Sequence, residues 1–202
     1  EDILTHRQDW IDFGKHVIPN TLKTHRVFSH VFMGYWEDIG TVRSYYETHM
    51  QMVRPEPPFQ FYDPSRIIYT HPRYLPGAKL ENATVKNSII CEGSRIERAE
   101  ISDSVVGIRS VVHPGVTIDK AILMGADYLL GDLNVSTAIP LGIGRGSEIS
   151  RAIIDKNACI GERVVIRGSA KLPDQEGDGW AVRDGIVIVM KNAVIPDGTR
   201  IE

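Results

Sequence analysis

The chain has 202 residues, a net charge of −3 and 42% hydrophobic content, enough for one large domain or two small ones with a real core. The near balance of 23 basic and 26 acidic residues excludes a nucleic-acid-coating protein, and the longest apolar runs, about five residues, are far below the ~20 a membrane-spanning helix requires. Two cysteines, Cys91 and Cys159, make neither a disulfide framework nor a zinc site, and no charged-then-apolar leader opens the chain, so a reducing, cytoplasm-like compartment is expected.

Residues 1–53 hold five of the seven histidines, and Gly14 and Pro19-Asn20 punctuate them. Arg26 to Met33 reads as a strand. Thr41 to Val53 places Val42, Tyr45, Tyr46, Met50 and Val53 at helical spacing, with Gly40-Thr41 as its start. One strand and two helices cannot enclose a core in about 50 residues, so this part is expected to belong to a larger domain. Residues 54–72 form a connector, whose Pro55, Pro57 and Pro58 favour an extended, semi-rigid path.

From residue 73 to 202 a phrase recurs: turn residue, Gly, small residue, any residue, aliphatic. Its copies include Pro76-Gly77-Ala78-Lys79-Leu80, Glu92-Gly93-Ser94-Arg95-Ile96, Pro114-Gly115-Val116-Thr117-Ile118, Arg145-Gly146-Ser147-Glu148-Ile149 and Asp197-Gly198-Thr199-Arg200-Ile201. Looser copies begin at Gly107 and Gly161. The aliphatic positions Leu80, Val85, Ile90, Ile96, Ile101, Val106, Val112, Ile118 and Leu123 advance in steps of five or six. A helix needs steps of three and four, an alternating strand steps of two, and a sandwich spaces its turns at about 8–12 residues. Steps near six fit a coil with three short flat sides, one inward aliphatic on each, and stacked coils bury that row continuously. The expected fold is therefore mainly β: a left-handed parallel β-helix of hexapeptide repeats, preceded by a short α/β remnant.

Two stretches interrupt the rhythm. Met124 to Leu141 is too long for a corner, and Gly168 to Asp184 holds Pro173, Gly177, Gly179 and Trp180; both are expected to project from the coils as binding or assembly sites. The polar run Asp174 to Asp178 reads equally well as a solvated loop.

Gly34-Tyr35-Trp36-Glu37-Asp38-Ile39-Gly40-Thr41 resembles the segment that ends the sugar-nucleotide pyrophosphorylase domain. Phe61-Tyr62-Asp63-Pro64, Ile68-Tyr69-Thr70, Pro72 to Pro76, Ser104 to Ser110, Met124-Gly125-Ala126-Asp127-Tyr128, Ile153 to Gly161 and Asp184 to Ala193 are similar to segments of glucose-1-phosphate adenylyltransferase (ADP-glucose pyrophosphorylase), in order and along the whole chain. That family opens with a Gly-rich nucleotide-binding loop, which these 202 residues do not contain. The resemblance implies the C-terminal portion of the enzyme: residues 1–53 as the end of the catalytic nucleotidyltransferase domain, and the β-helix serving regulation and oligomerisation, the fragment being inactive alone.

The resemblance also implies roles. Asp38 matches a metal-binding aspartate that would hold Mg²⁺ for adenylyl transfer from ATP to glucose 1-phosphate; its alternative is a capping residue of the following helix. Trp36 resembles a residue near the sugar, or serves packing. Glu37 is assigned nothing. His71, Arg73, Lys156 and Lys191 match positions that bind a phosphorylated metabolite effector in relatives, with Arg66 and Arg109 secondary; their alternative is solvated charge. A homotetramer is expected, with no nucleic-acid or membrane partner, in the cytoplasm or, in a plant, the plastid. A γ-type carbonic anhydrase would need three converging histidines, but only His71 and His113 follow the connector. A β-helix acyltransferase would have to use His113 as its base. A purely structural assembly module of another sugar-nucleotide pyrophosphorylase is the third alternative.

Overall fold

The structure, a computed structural model, describes residues 2–129 and 138–202. Two compact units divide between Tyr35 and Trp36. In the first, Asp2–His6 forms a helical turn, and a π-helical turn, Phe13–Val17, runs into Ile18–Thr21. Asp12 caps the π turn by accepting from the Lys15 backbone N–H at 2.7 Å. Val17 is its one buried residue among those described, while Ile11, Phe28, Val31 and Met33 lie exposed. Arg26 to Met33, expected as a strand, forms none. A strand holds its shape by pairing its backbone groups with a neighbour, and the described part of this unit contains no other strand.

In the second unit the expected coils are present, built from short parallel strands. Three inward columns run up the stack, each aliphatic set over its counterpart one coil below. The first column is Leu80, Ile96, Val112, Ile143, Ile160 and Ile195. The second is Val85, Ile101, Ile118, Ile149, Ile166 and Ile201. Ile90, Val106, Leu123, Ile154 and Val189 form the third. Most of these side chains are buried in one continuous core, each contributing about 1.5–3 kcal/mol from transfer out of water. The step of five or six exists because each flat side is only two or three residues long and each corner must then turn the chain.

Corners need backbone in the left-handed region. Gly93 supplies it at φ +73, but one coil on, in a looser copy of the repeat, the same place is taken by Arg109 at φ +58, two residues past Gly107. The stacked neighbours therefore enforce the turn even where the residue resists it.

The helix Val42–Met52 begins at Thr41 with a reciprocal cap: the Ser44 backbone N–H donates to Thr41 Oγ1 at 3.0 Å and the Thr41 N–H to Ser44 Oγ at 3.2 Å. Its apolar face, with Val42, Tyr45, Tyr46 and Met50, covers Ile122, Ile153 and Ile186 on the outside of the coils. Tyr46 donates its hydroxyl to the Lys120 carbonyl at 2.6 Å, and Arg43 pairs with Asp184 at 2.8 Å. This helix thus belongs with the coils, although the sequence groups it with the preceding residues.

The second interruption lies wholly within the described residues. Within Gly168 to Asp184 the polar run Asp174 to Asp178 is part of a hairpin: Gln175–Gly177 pairs antiparallel with Trp180–Arg183, which pairs antiparallel with Ile186–Val189. Trp180 packs against the core. At the other interruption, Ala126 and Leu141 bury against Cys159, and residues 130–137 lie outside the described residues.

Candidate anion site on a coil corner

One corner of the coils carries three successive tiers: Gly125-Ala126, Lys156-Asn157 and Lys191-Asn192. Backbone hydrogen bonds fix their order, from the Asn157 N–H to the Gly125 carbonyl at 3.1 Å and from the Asn192 N–H to the Lys156 carbonyl at 2.9 Å. Asn157 and Asn192 take the left-handed turn at φ +62 and +60, a conformation that asparagine tolerates better than most residues. Each Lys-Asn pair thus repeats the same corner one tier apart, which brings Lys156 and Lys191 to a common place. Both were singled out in the sequence, and the fold unites them.

What they meet is Asp127. Its Oδ1 lies 2.9 Å from Lys156 Nζ and its Oδ2 3.3 Å from Lys191 Nζ. Asn157, buried beneath, reads the same residue twice: its Nδ2 donates to Asp127 Oδ2 at 3.1 Å, and its Oδ1 accepts from the Asp127 backbone N–H at 2.8 Å. The remaining amide hydrogen reaches Asn192 Oδ1 at 3.0 Å. The amide therefore anchors the Asp127 backbone and orients its carboxylate between two ammonium groups. Lys156, Asn157 and Lys191, acting on the ionised form, hold the Asp127 carboxyl down at about 2. Arg109, one tier away, donates to the Ala126 carbonyl at 3.2 Å. Two lysines against one carboxylate leave a net positive charge on this corner, open to solvent on the Lys191 side, where half the side chain is exposed.

Asp127 and the two asparagines were not identified as site residues from the sequence. Asp127 stands in the Met124 to Tyr128 segment, but the long interruption that follows hides its place in the coil count.

Arg73 donates to the His71 carbonyl at 3.2 Å, and both are exposed. Arg66 sits 3.9 Å from Asp63. Trp36 is 75% exposed. Asp38 accepts from the Gly40 N–H at 3.0 Å through Oδ1, and the cap of the following helix is Thr41, not Asp38. The Asp38 side chain is exposed, and a carboxylate is a ligand type that Mg²⁺ accepts. Among the described residues, no hydrogen bond or ion pair joins Trp36, Asp38, His71 or Arg73 to the lysine pair.

His113 is half-buried, and burial first, then Arg145, pushes its pKa down. It lines a cleft with Ile139, Arg145, Glu162 and Asp197. Among the described residues no carboxylate is hydrogen-bonded to its ring, the orienting partner that a general base usually has. Among the described residues no three His, Cys, Asp or Glu side chains are grouped to hold a metal ion, and no helix is long and apolar enough to cross a membrane.

A family model described as the GLGC left-handed parallel beta-helix domain matches residues 73–200. The match spans all the coils described above, including the corner with Asp127, Lys156 and Lys191.

Proposed function

Because the chain belongs to the family of the GLGC left-handed parallel β-helix domain, the C-terminal domain of glucose-1-phosphate adenylyltransferase, we propose that it regulates and assembles an enzyme that makes ADP-glucose. In that reaction a phosphate oxygen of glucose 1-phosphate attacks the α-phosphorus of ATP, the bond from that phosphorus to the β-phosphate bridging oxygen breaks, and pyrophosphate leaves. The reaction serves glycogen or starch synthesis.

Within it, the coil corner is the effector site. The observation that supports this is the convergence of Lys156 and Lys191 on a single carboxylate, a place built to hold negative charge. A phosphorylated metabolite offers three acceptor oxygens and up to two charges, which match two ammonium donors better than one carboxylate does. Arg73 and His71, which no described hydrogen bond or ion pair joins to the corner, are effector candidates through the resemblance alone.

Asp38 would hold Mg²⁺, which would supply neutralisation of charge at the α-phosphate. Trp36, with its exposed indole, lies beside the sugar. The residues that bind the nucleotide base and ribose belong to an N-terminal catalytic domain. The coils contribute contacts to a homotetramer, in the cytoplasm or in a plastid.

The test is Lys191→Ala in the intact enzyme, assayed by pyrophosphate release with and without effector. The activated rate is expected to fall at least about tenfold with the basal rate retained, a difference of about 1.4 kcal/mol in effector coupling. Equal loss of both rates would count against the reading, since it points to folding or catalysis.

A further inference from the structure

We infer that Asp127 is the resident anion of the two-lysine corner and the residue that sets its selectivity: a ligand must displace this carboxylate, which a phosphate dianion does and a monovalent ion does not. The inference rests on the reading of this corner as an anion site, and deepens it.

Two ammonium groups brought to one place by the coil repeat would repel each other without a counter-charge. Asp127 supplies it from the same chain, so the site is already occupied by an anion before any ligand arrives. Three features make this carboxylate displaceable. First, the lysines hold it at 2.9 and 3.3 Å in a place that is open to water, where such pairs are weak. Second, the Asp127 main chain is tied independently, through its N–H to Asn157 Oδ1, so the side chain can turn away without undoing the corner. Third, the Asn157 amide that donates to Asp127 Oδ2 remains available to an incoming oxygen.

The charge balance sets the selectivity. With Asp127 in place the two lysines keep one unit of positive charge; a phosphate dianion replacing it neutralises both. A chloride ion brings no more charge than the carboxylate it would replace.

The test is calorimetric titration of inorganic phosphate into the 202-residue chain, in the wild type, Asp127→Asn, and the double variant Lys156→Ala/Lys191→Ala. Asp127→Asn retains a side-chain acceptor and removes the competing charge, so its phosphate Kd is expected to fall at least tenfold, with chloride at equal concentration failing to compete. Unchanged phosphate affinity in Asp127→Asn, while the double lysine variant loses binding, would overturn the role of Asp127 and leave the anion site standing. Absence of binding in both wild type and Asp127→Asn, or binding indifferent to the lysines, would overturn the anion site and this inference with it. A second readout needs no variant. In the wild type at pH 8, where phosphate is a dianion, the Asp127 carboxyl carbon resonance is expected to move as phosphate is added and to stay in place when chloride is added at equal concentration. A carboxyl resonance that phosphate leaves unmoved would contradict displacement.

Discussion

Lys156 and Asp127 stand 29 positions apart in the chain, yet their side chains meet at 2.9 Å because the coil corner sets one tier on the next. The same repeat that buries aliphatic columns inside the coils aligns charged residues outside them. A solenoid therefore converts distant sequence positions into neighbours without any loop that must fold around a ligand.

This pairing has a pH signature. The folded Asp127 carboxyl lies at about 2, against an ordinary value of 3.8, chiefly because of Lys156 and then Asn157. A depressed folded pKa contributes stability that is present above the ordinary value and is lost as pH falls between about 4 and about 2. Urea midpoints of wild type and Asp127→Asn should therefore differ at pH 6 and converge toward pH 2. The partial exposure of the pair keeps the difference small, about 1 kcal/mol or less.

The inward columns predict a contrast along the stack. Ile118 is completely buried, whereas Leu80, in the first coil, is 45% exposed. Ile118→Ala should cost about 2–5 kcal/mol, from lost transfer energy and the cavity left behind, and Leu80→Ala about 1 kcal/mol or less. Denaturant unfolding of the two variants measures both. Equal losses would mean that the coils do not share one core.

Gly125 and Gly77 form a second contrast. Gly125 sits at φ +87, and a Cβ there would overlap the Ile108 carbonyl oxygen; a Cβ on Gly77 meets nothing within 4 Å. Gly125→Ala should destabilise the chain by more than about 1 kcal/mol and disturb the Asp127 corner beside it, while Gly77→Ala should be neutral or slightly stabilising through the unfolded state. Melting temperatures of the two variants check this.

How far the sequence carried the reading follows from what each signal depends on. The aliphatic series from Leu80 to Leu123 is legible because a step of five or six admits no helix or alternating strand, and Gly40-Thr41 is legible as a helix start. Arg26 to Met33 misled, since β-branched and aromatic residues report a strand only when a partner strand is at hand. The Asp174 to Asp178 run was ambiguous because exposed hairpin strands and loops share a polar composition. Lys156 and Lys191 were singled out separately by resemblance. Their common partner was not, because the interruption after Asp127 breaks the periodicity that would have placed it.

The helix on the outside of the coils gives an alkaline prediction. Burial raises the Tyr46 phenol to about 12, and its hydroxyl donates to the Lys120 carbonyl. A folded pKa raised above the unfolded value of about 10 contributes stability that is complete below pH 10 and is lost as pH rises from 10 toward 12. Tyr46 should be among the last tyrosines to ionise in an ultraviolet titration. Tyr46→Phe, which leaves the phenol's hydrogen bond unmade, should lower stability by about 1 kcal/mol at neutral pH and remove part of the alkaline loss.

A crystal structure of this chain grown in inorganic phosphate tests the coil-corner anion site most directly. Phosphate within hydrogen-bonding distance of both Lys156 Nζ and Lys191 Nζ, with the Asp127 carboxylate turned aside, is the expected result. Phosphate bound only elsewhere, with both lysines still on Asp127, would contradict it.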